Sequence, residues 1–250
     1  MRKCVYLFSL LCFLGITLCK NALAQAVRRD SSSQQNALNN TLNYYYTSIG
    51  KQSPLYNGAE YYFYDPQIKG NAYFSEVNAF TPGSVYYDGT LYSGVPMLYD
   101  LYLDKVVVLL YNNFSKFTLV DPKVQRFDFL EHHFINISAD SLGENSIIKT
   151  GFYDELYKGK SQVLARREKN IQTTMGGLNG PESYFNPVKS YFVRKKNIYY
   201  PVSGKGSLID VFKDRKKELQ QYIRASQINF RKNPEEAMVK IASYYDHLTN

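Results

Sequence analysis

The 250-residue chain contains no tryptophan and only three histidines, His132, His133 and His247. Its three cysteines, Cys4, Cys12 and Cys19, all fall in a leader argued below to be removed, after which no disulfide, thiol nucleophile or thiolate metal site remains. There is no G-x-S-x-G elbow, so nucleophilic catalysis has little support. His132 and His133 are neighbours on an expected strand and point to opposite faces, so they do not chelate one metal together. Glu131 and His133 could share a face, but a third ligand is not identifiable. Asp100 and Asp104 could be paired carboxylates. Asp104 falls in an expected turn, however, and the pair reads better as turn and solvent-face acids. Ser203-Gly204-Lys205-Gly206-Ser207 precedes a helix, as phosphate-cradling loops do. Its spacing is not that of a P-loop, and a turn with an N-cap accounts for it better. The sequence thus implies no catalytic residue, no metal and no cofactor.

What is present begins with a targeting signal. Met1-Arg2-Lys3 is a basic n-region, Cys4 to Leu18 an apolar run too short for a comfortable membrane span, and Ala22-Leu23-Ala24 a cleavage site. A retained anchor is the alternative. So is lipid attachment at Cys19, although Leu18 stands where a lipobox wants a small residue. Cleavage after Ala24 leaves 226 residues, enough to bury a core as one large domain or two small ones. Export places the chain in the periplasm or at the outer membrane and disfavours nucleic acid as a partner.

Charge is unevenly distributed. Residues 26–157 hold nine Lys and Arg against fourteen Asp and Glu; residues 158–232 hold seventeen against five. Either the two halves neutralise each other, or the second presents a basic face to an anionic envelope partner. The candidate anionic-surface residues are Arg166, Arg167, Lys195, Lys196, Lys213, Arg215, Lys216 and Lys217. Tyrosine is abundant, with 24 copies. A Tyr-rich concave face can bind sugars, peptides or lipids, but Tyr is also a good strand former, and structural use is favoured.

The centre of the chain, Ser84 to Leu110, reads as four strands: a hairpin at Asp88-Gly89, a break at Gly94 and Pro96, and a turn at Asp104-Lys105. Before it, Gln25 to Gln35 reads as a disordered start and Asn36 to Ile49 as a helix ending at Gly50. Leu55 to Tyr64 and Asn71 to Glu76 read as short strands. After the centre, strands are expected at 114–120, 124–137, 147–157 and 162–172. Thr173 to Pro187 follows as a long turn-rich loop, and Ser190 to Val202 as a last hairpin. Two helices occupy 207–250, the first capped by Ser207 and the second by Asn233 with Pro234 at N1.

The expected fold is α+β. An antiparallel β meander forms a curved sheet or open barrel, with an N-terminal helix and two C-terminal helices, and residues 36–250 make a single β-rich domain. The runs LYNGAEYYFYDPQIKGNAYF, GSVYYDG, VPMLYDLYLDKVVV and SLIDVFKDRKKELQQYIRASQINFRKNPEEAMVKIASYYD resemble an uncharacterised family of exported cell-envelope proteins from Bacteroidota. The resemblance covers most of the chain after the leader and implies an envelope location without any assigned activity. It also draws attention to Asp140-Ser141-Leu142, which matches a short O-glycosylation motif used in that phylum. The leading expectation is a non-enzymatic envelope protein that binds an anionic lipid or glycan, or an envelope protein. An open-barrel carrier of lipids or other amphiphiles, and a carboxylate-dependent hydrolase, are the alternatives.

Overall fold

A computed structural model describes residues 53–142, 147–175 and 180–249, with eight positions between 36 and 49. The leader and the 25–35 segment lie outside the described residues. The chain divides into two units, Met1–Ser48 and Ile49–Asn250, and every element below belongs to the second.

Turn chemistry fixes the sheet. Strands β1 (Thr81–Tyr87) and β2 (Thr90–Asp100) meet at Asp88-Gly89, with φ of 50° and 80°. This is the left-handed pair that a type I′ loop requires. The same solution recurs twice. Leu130-Glu131 joins β5 (Val124–Phe129) to β6 (His132–Ile137), and Lys196-Asn197 joins β9 (Pro181–Lys195) to β10 (Ile198–Val202). Strands β3 (Lys105–Leu109), β4 (Lys116–Thr118), β7 (Gly151–Lys158) and β8 (Gln162–Met175) complete ten. Their order is β10-β9-β8-β7-β6-β5-β1-β2-β3-β4, so two meanders diverge from the central β1/β5 pair.

The sheet corrects the expected barrel: it is neither closed nor strongly curled. Its edges are unsuited to meet. Strand β4 has three residues, and its outer side is taken by Ala59 and Tyr61 through Thr118 N–H to Ala59 O and Tyr61 N–H to Lys116 O. Strand β10 contains Pro201, which cannot donate to a ladder. The helices also differ from expectation. The three helices of this unit, α1 (Lys205–Val211), α2 (Lys216–Ala225) and α3 (Pro234–Leu248), lie C-terminal to the sheet. The expected helix over 36–49 is not an element of this unit; the eight positions described there are helical, and the others fall outside the described residues. The first C-terminal helix is split at Phe212, where backbone geometry leaves the helix and a short 3-10 turn, Lys213–Arg215, intervenes. Ser207 is not its N-cap. The helix starts at Lys205, and Ser207 sits at the third helical position, accepting from the backbone N–H groups of Ser203 and Gly204.

Three further readings change. Gly94 does not break the strand: it is the extra residue of a β-bulge, at φ 68°, and β2 continues through Pro96. The segment 53–80 is not stranded. It crosses the sheet as turns, satisfying its backbone by single bonds such as Leu101 N–H to Ala72 O. The expected loop at 173–187 is largely strand, because β8 and β9 pair from Gln162↔Arg194 out to Met175↔Pro181.

One part of the core is aromatic. Tyr99, Phe127, Phe134 and Phe152 project from β2, β5, β6 and β7, with Phe127 and Phe134 stacked at 4.7 Å. Tyr99 meets Phe127 and Phe134 edge-on at 5.1 and 5.0 Å. A second part joins Val163, Val193 and Val202 of the sheet to Leu208, Phe212, Leu219, Ile223, Met238 and Ile241 of the helices. The two helical stripes seen in the sequence therefore cover the β8–β10 end of the sheet.

Candidate functional site

Strand β8 carries Arg166-Arg167-Glu168-Lys169, and both of its faces are covered there. Adjacent strand residues point oppositely, so the two arginines enter different networks. The Arg166 guanidinium meets Asp104 at 2.8 Å and the Phe152 carbonyl at 2.9 Å, while the Tyr99 hydroxyl donates to Asp104 at 2.7 Å. Burial pushes the Asp104 carboxyl up, against the pull of Arg166 and the Tyr99 hydroxyl. On the other face, Arg167 donates to Asp154 through Nε at 2.8 Å and Nη2 at 2.5 Å. It also holds Glu235 of α3, at 3.0 and 2.9 Å. Tyr191 donates a further bond to Glu235 at 3.0 Å. Burial alone would raise the Glu235 carboxyl; the Arg167 bonds outweigh it and hold it at about 2. Lys169 is likewise paired, with Glu76 at 2.6 Å. Arg166 and Arg167 are therefore buried structural cations, not surface residues.

The other six candidates sit together. Lys195 ends β9 and binds Asp214 at 2.6 Å and the Val211 carbonyl at 3.0 Å. Its ammonium also lies 4.9 Å from the centre of the Tyr245 ring. This contact fixes the β9–β10 turn against residues 211–217, so Lys196 and the Lys213–Lys217 segment form one corner. Arg215 pairs with Glu218 at 3.4 Å and Lys216 with Asp210 at 3.9 Å. Lys196, Lys213 and Lys217 are exposed and have no ion-pair partner among the described residues. Ile198, the first residue of β10, pairs with Lys195 across the same turn and is 56% exposed.

Comparisons with known proteins leave the chain on its own. No family model, curated protein or solved structure matches it.

The histidines test the catalytic alternative. His132 Nδ1 lies 2.8 Å from Asp154 Oδ2, and the ring packs edge-on against Phe74 at 4.9 Å. An imidazole oriented by a buried carboxylate is half of a general-base arrangement. Among the described residues, no hydroxyl is hydrogen-bonded to His132; Ser75 lines the same cleft without such a bond. His133 faces the opposite side, 2.5 Å from Asp128. Glu131 is a turn residue at φ 64°, which removes it from the strand face it was expected to share with His133. Among the described residues, no group of three His, Cys, Asp or Glu is arranged to hold a metal ion.

Asp100 also departs from its reading as a solvent-face acid. It is wholly buried and accepts from the hydroxyls of Tyr61 and Tyr64, at 2.8 and 2.7 Å. Its other oxygen takes the Tyr102 and Leu103 N–H groups. Burial raises both tyrosine hydroxyls, with Asp100 adding to the effect. This cluster shows one structural use of the abundant tyrosine: it ties the irregular 53–80 segment to the end of β2. Asp140 lies in the 3-10 turn Ala139–Leu142, while the side chains of Ser141 and Leu142 fall outside the description. Among the described residues, no helix is long and apolar enough to cross a membrane.

Proposed function

We propose that this is an exported envelope protein that binds an anionic envelope surface through the corner formed by Lys196, Lys213 and Lys217, and does so without catalysis. The observation that carries the reading is local. Among the described residues, three of the six cations there pair with three carboxylates, Asp210, Asp214 and Glu218, and three of the lysines have no ion-pair partner. Beside them Ile198 offers an exposed apolar side chain. Lysines near an anionic membrane contribute about 1 kcal/mol each, so three give roughly 3 kcal/mol, enough for weak, salt-sensitive, reversible attachment. The basic n-region, apolar run and Ala22-Leu23-Ala24 support the location, as does the resemblance to exported envelope proteins.

The experiment is vesicle co-sedimentation of the chain starting at Gln25. Binding to anionic vesicles at low salt, little binding to neutral ones, and loss in K196Q/K213Q/K217Q are expected. Equal binding to both vesicle types, or an unchanged triple variant, would refute the proposal.

A further inference from the structure

At the other end of the helical layer lies a groove of about 790 Å³, between the start of α1 and the loop joining α2 to α3. Lys205 and Arg231 line it from opposite sides in sequence, with Tyr191, Ile228 and Phe230 as its apolar part. Neither Lys205 nor Arg231 has an ion-pair partner among the described residues. The acid nearest each along the chain has another partner: Asp210 lies 3.9 Å from Lys216, and Glu235 is bound by Arg167, Lys189 and Tyr191.

The loop that carries Arg231 is built. Asn229 Oδ1 accepts from the N–H groups of Arg231 and Lys232, at 3.1 and 3.0 Å. Ile228 N–H donates to Ile223 O, and Asn233 N–H to Asn229 O. Ile228 and Phe230 are anchored at the edge of the helical core. Because Ser207 consumes the Ser203 and Gly204 N–H groups, recognition here rests on side chains, not on those loop amides.

We propose that this groove binds a phosphate group attached to an apolar or ring-bearing moiety. Two unpaired cations match the charge of a phosphate dianion, and the guanidinium fork fits two of its oxygens. Tyr191, Ile228 and Phe230 provide a surface for the adjoining part of the ligand. The site is separate from the Lys196–Lys213–Lys217 corner and stands without it. A short-chain phosphatidic acid carries both parts of such a ligand and inorganic phosphate only the anionic part, so the two probes separate their contributions.

The test is calorimetric titration of the chain starting at Gln25 with inorganic phosphate and with a water-soluble short-chain phosphatidic acid. Saturable binding of phosphatidic acid is expected, with K205Q and R231Q each weakening it by about tenfold or more. Tighter binding of phosphatidic acid than of inorganic phosphate supports the proposal; equal binding would overturn the role given to Tyr191, Ile228 and Phe230. Absence of saturable binding to both probes would overturn the proposal, as would unchanged affinity in K205Q and R231Q. So would an equal loss in K213Q/K217Q, which would reduce the effect to general surface charge and leave the corner reading intact.

Discussion

Replacing Arg167 with Met should unfold a large part of the stability margin, and in a pH-dependent way. Arg167 is 6% exposed and bridges Asp154 of β7 to Glu235 of α3. Met keeps much of the side-chain volume but leaves two carboxylates facing each other, and removing one partner of a buried ion pair costs about 3–5 kcal/mol. Part of this loss belongs to Glu235, whose carboxyl is held at about 2 against an ordinary 4.5. Linkage converts that gap to roughly 3 kcal/mol of native stability. The folded value is depressed, so the contribution is full above pH 4.5 and fades as pH falls through about 2. The difference between wild type and R167M should therefore be largest at pH 7 and smaller by roughly 2 kcal/mol at pH 3. Urea denaturation at both pH values measures it. A loss below about 1 kcal/mol at pH 7, the scale of an exposed pair, would refute the argument, as would a loss that does not change with pH.

One truncation and two substitutions probe the fold. Truncation at Asn233 removes Met238, Ile241 and Tyr245 from the helical core, each worth about 1.5–3 kcal/mol; poor solubility or a large fall in melting temperature is expected, and unchanged melting would contradict it. Asp246 accepts from Ser161 N–H and the Tyr157 hydroxyl, so D246A should cost about 1–3 kcal/mol for each group left unpaired, read by thermal denaturation. A Cβ on Gly58 would overlap the Thr118 carbonyl oxygen of β4, so G58A should destabilise by about 1–3 kcal/mol or more, and a neutral result would show that the 53–80 segment is not held against the sheet edge.

The parts of the fold legible in the sequence are those fixed by neighbours in the chain. Asp88-Gly89 announces its hairpin because left-handed backbone is a local requirement. The apolar stripes of α2 and α3 announce a covered face for the same reason. Gly94 carries the same kind of signal, but a glycine in a strand fits a bulge as well as a break, and only the partner strand decides. The 53–80 segment reads as strand because its aromatic residues suit one, whereas its backbone is satisfied by isolated bonds to distant elements. Arg166 and Arg167 illustrate the limit for sites. Nothing near them in sequence shows that Asp104, Asp154 and Glu235 converge on β8, so composition alone placed them on a surface. Lys205 and Arg231 were missed as a pair because 26 residues and a whole helix separate them, although both lie in the basic stretch.

If the Lys196–Lys213–Lys217 corner meets the envelope, a probe at Ile198 should report it. The chain starting at Gln25 has no cysteine, so I198C gives a single attachment point for a polarity-sensitive fluorophore. Met175, 87% exposed at the far end of the β8–β9 hairpin, provides the control position in M175C. With anionic vesicles at low salt, the label at 198 should shift to the blue and the label at 175 should not. Neutral vesicles should leave both unchanged. An unchanged spectrum at 198, or an equal shift at 175, would contradict the account.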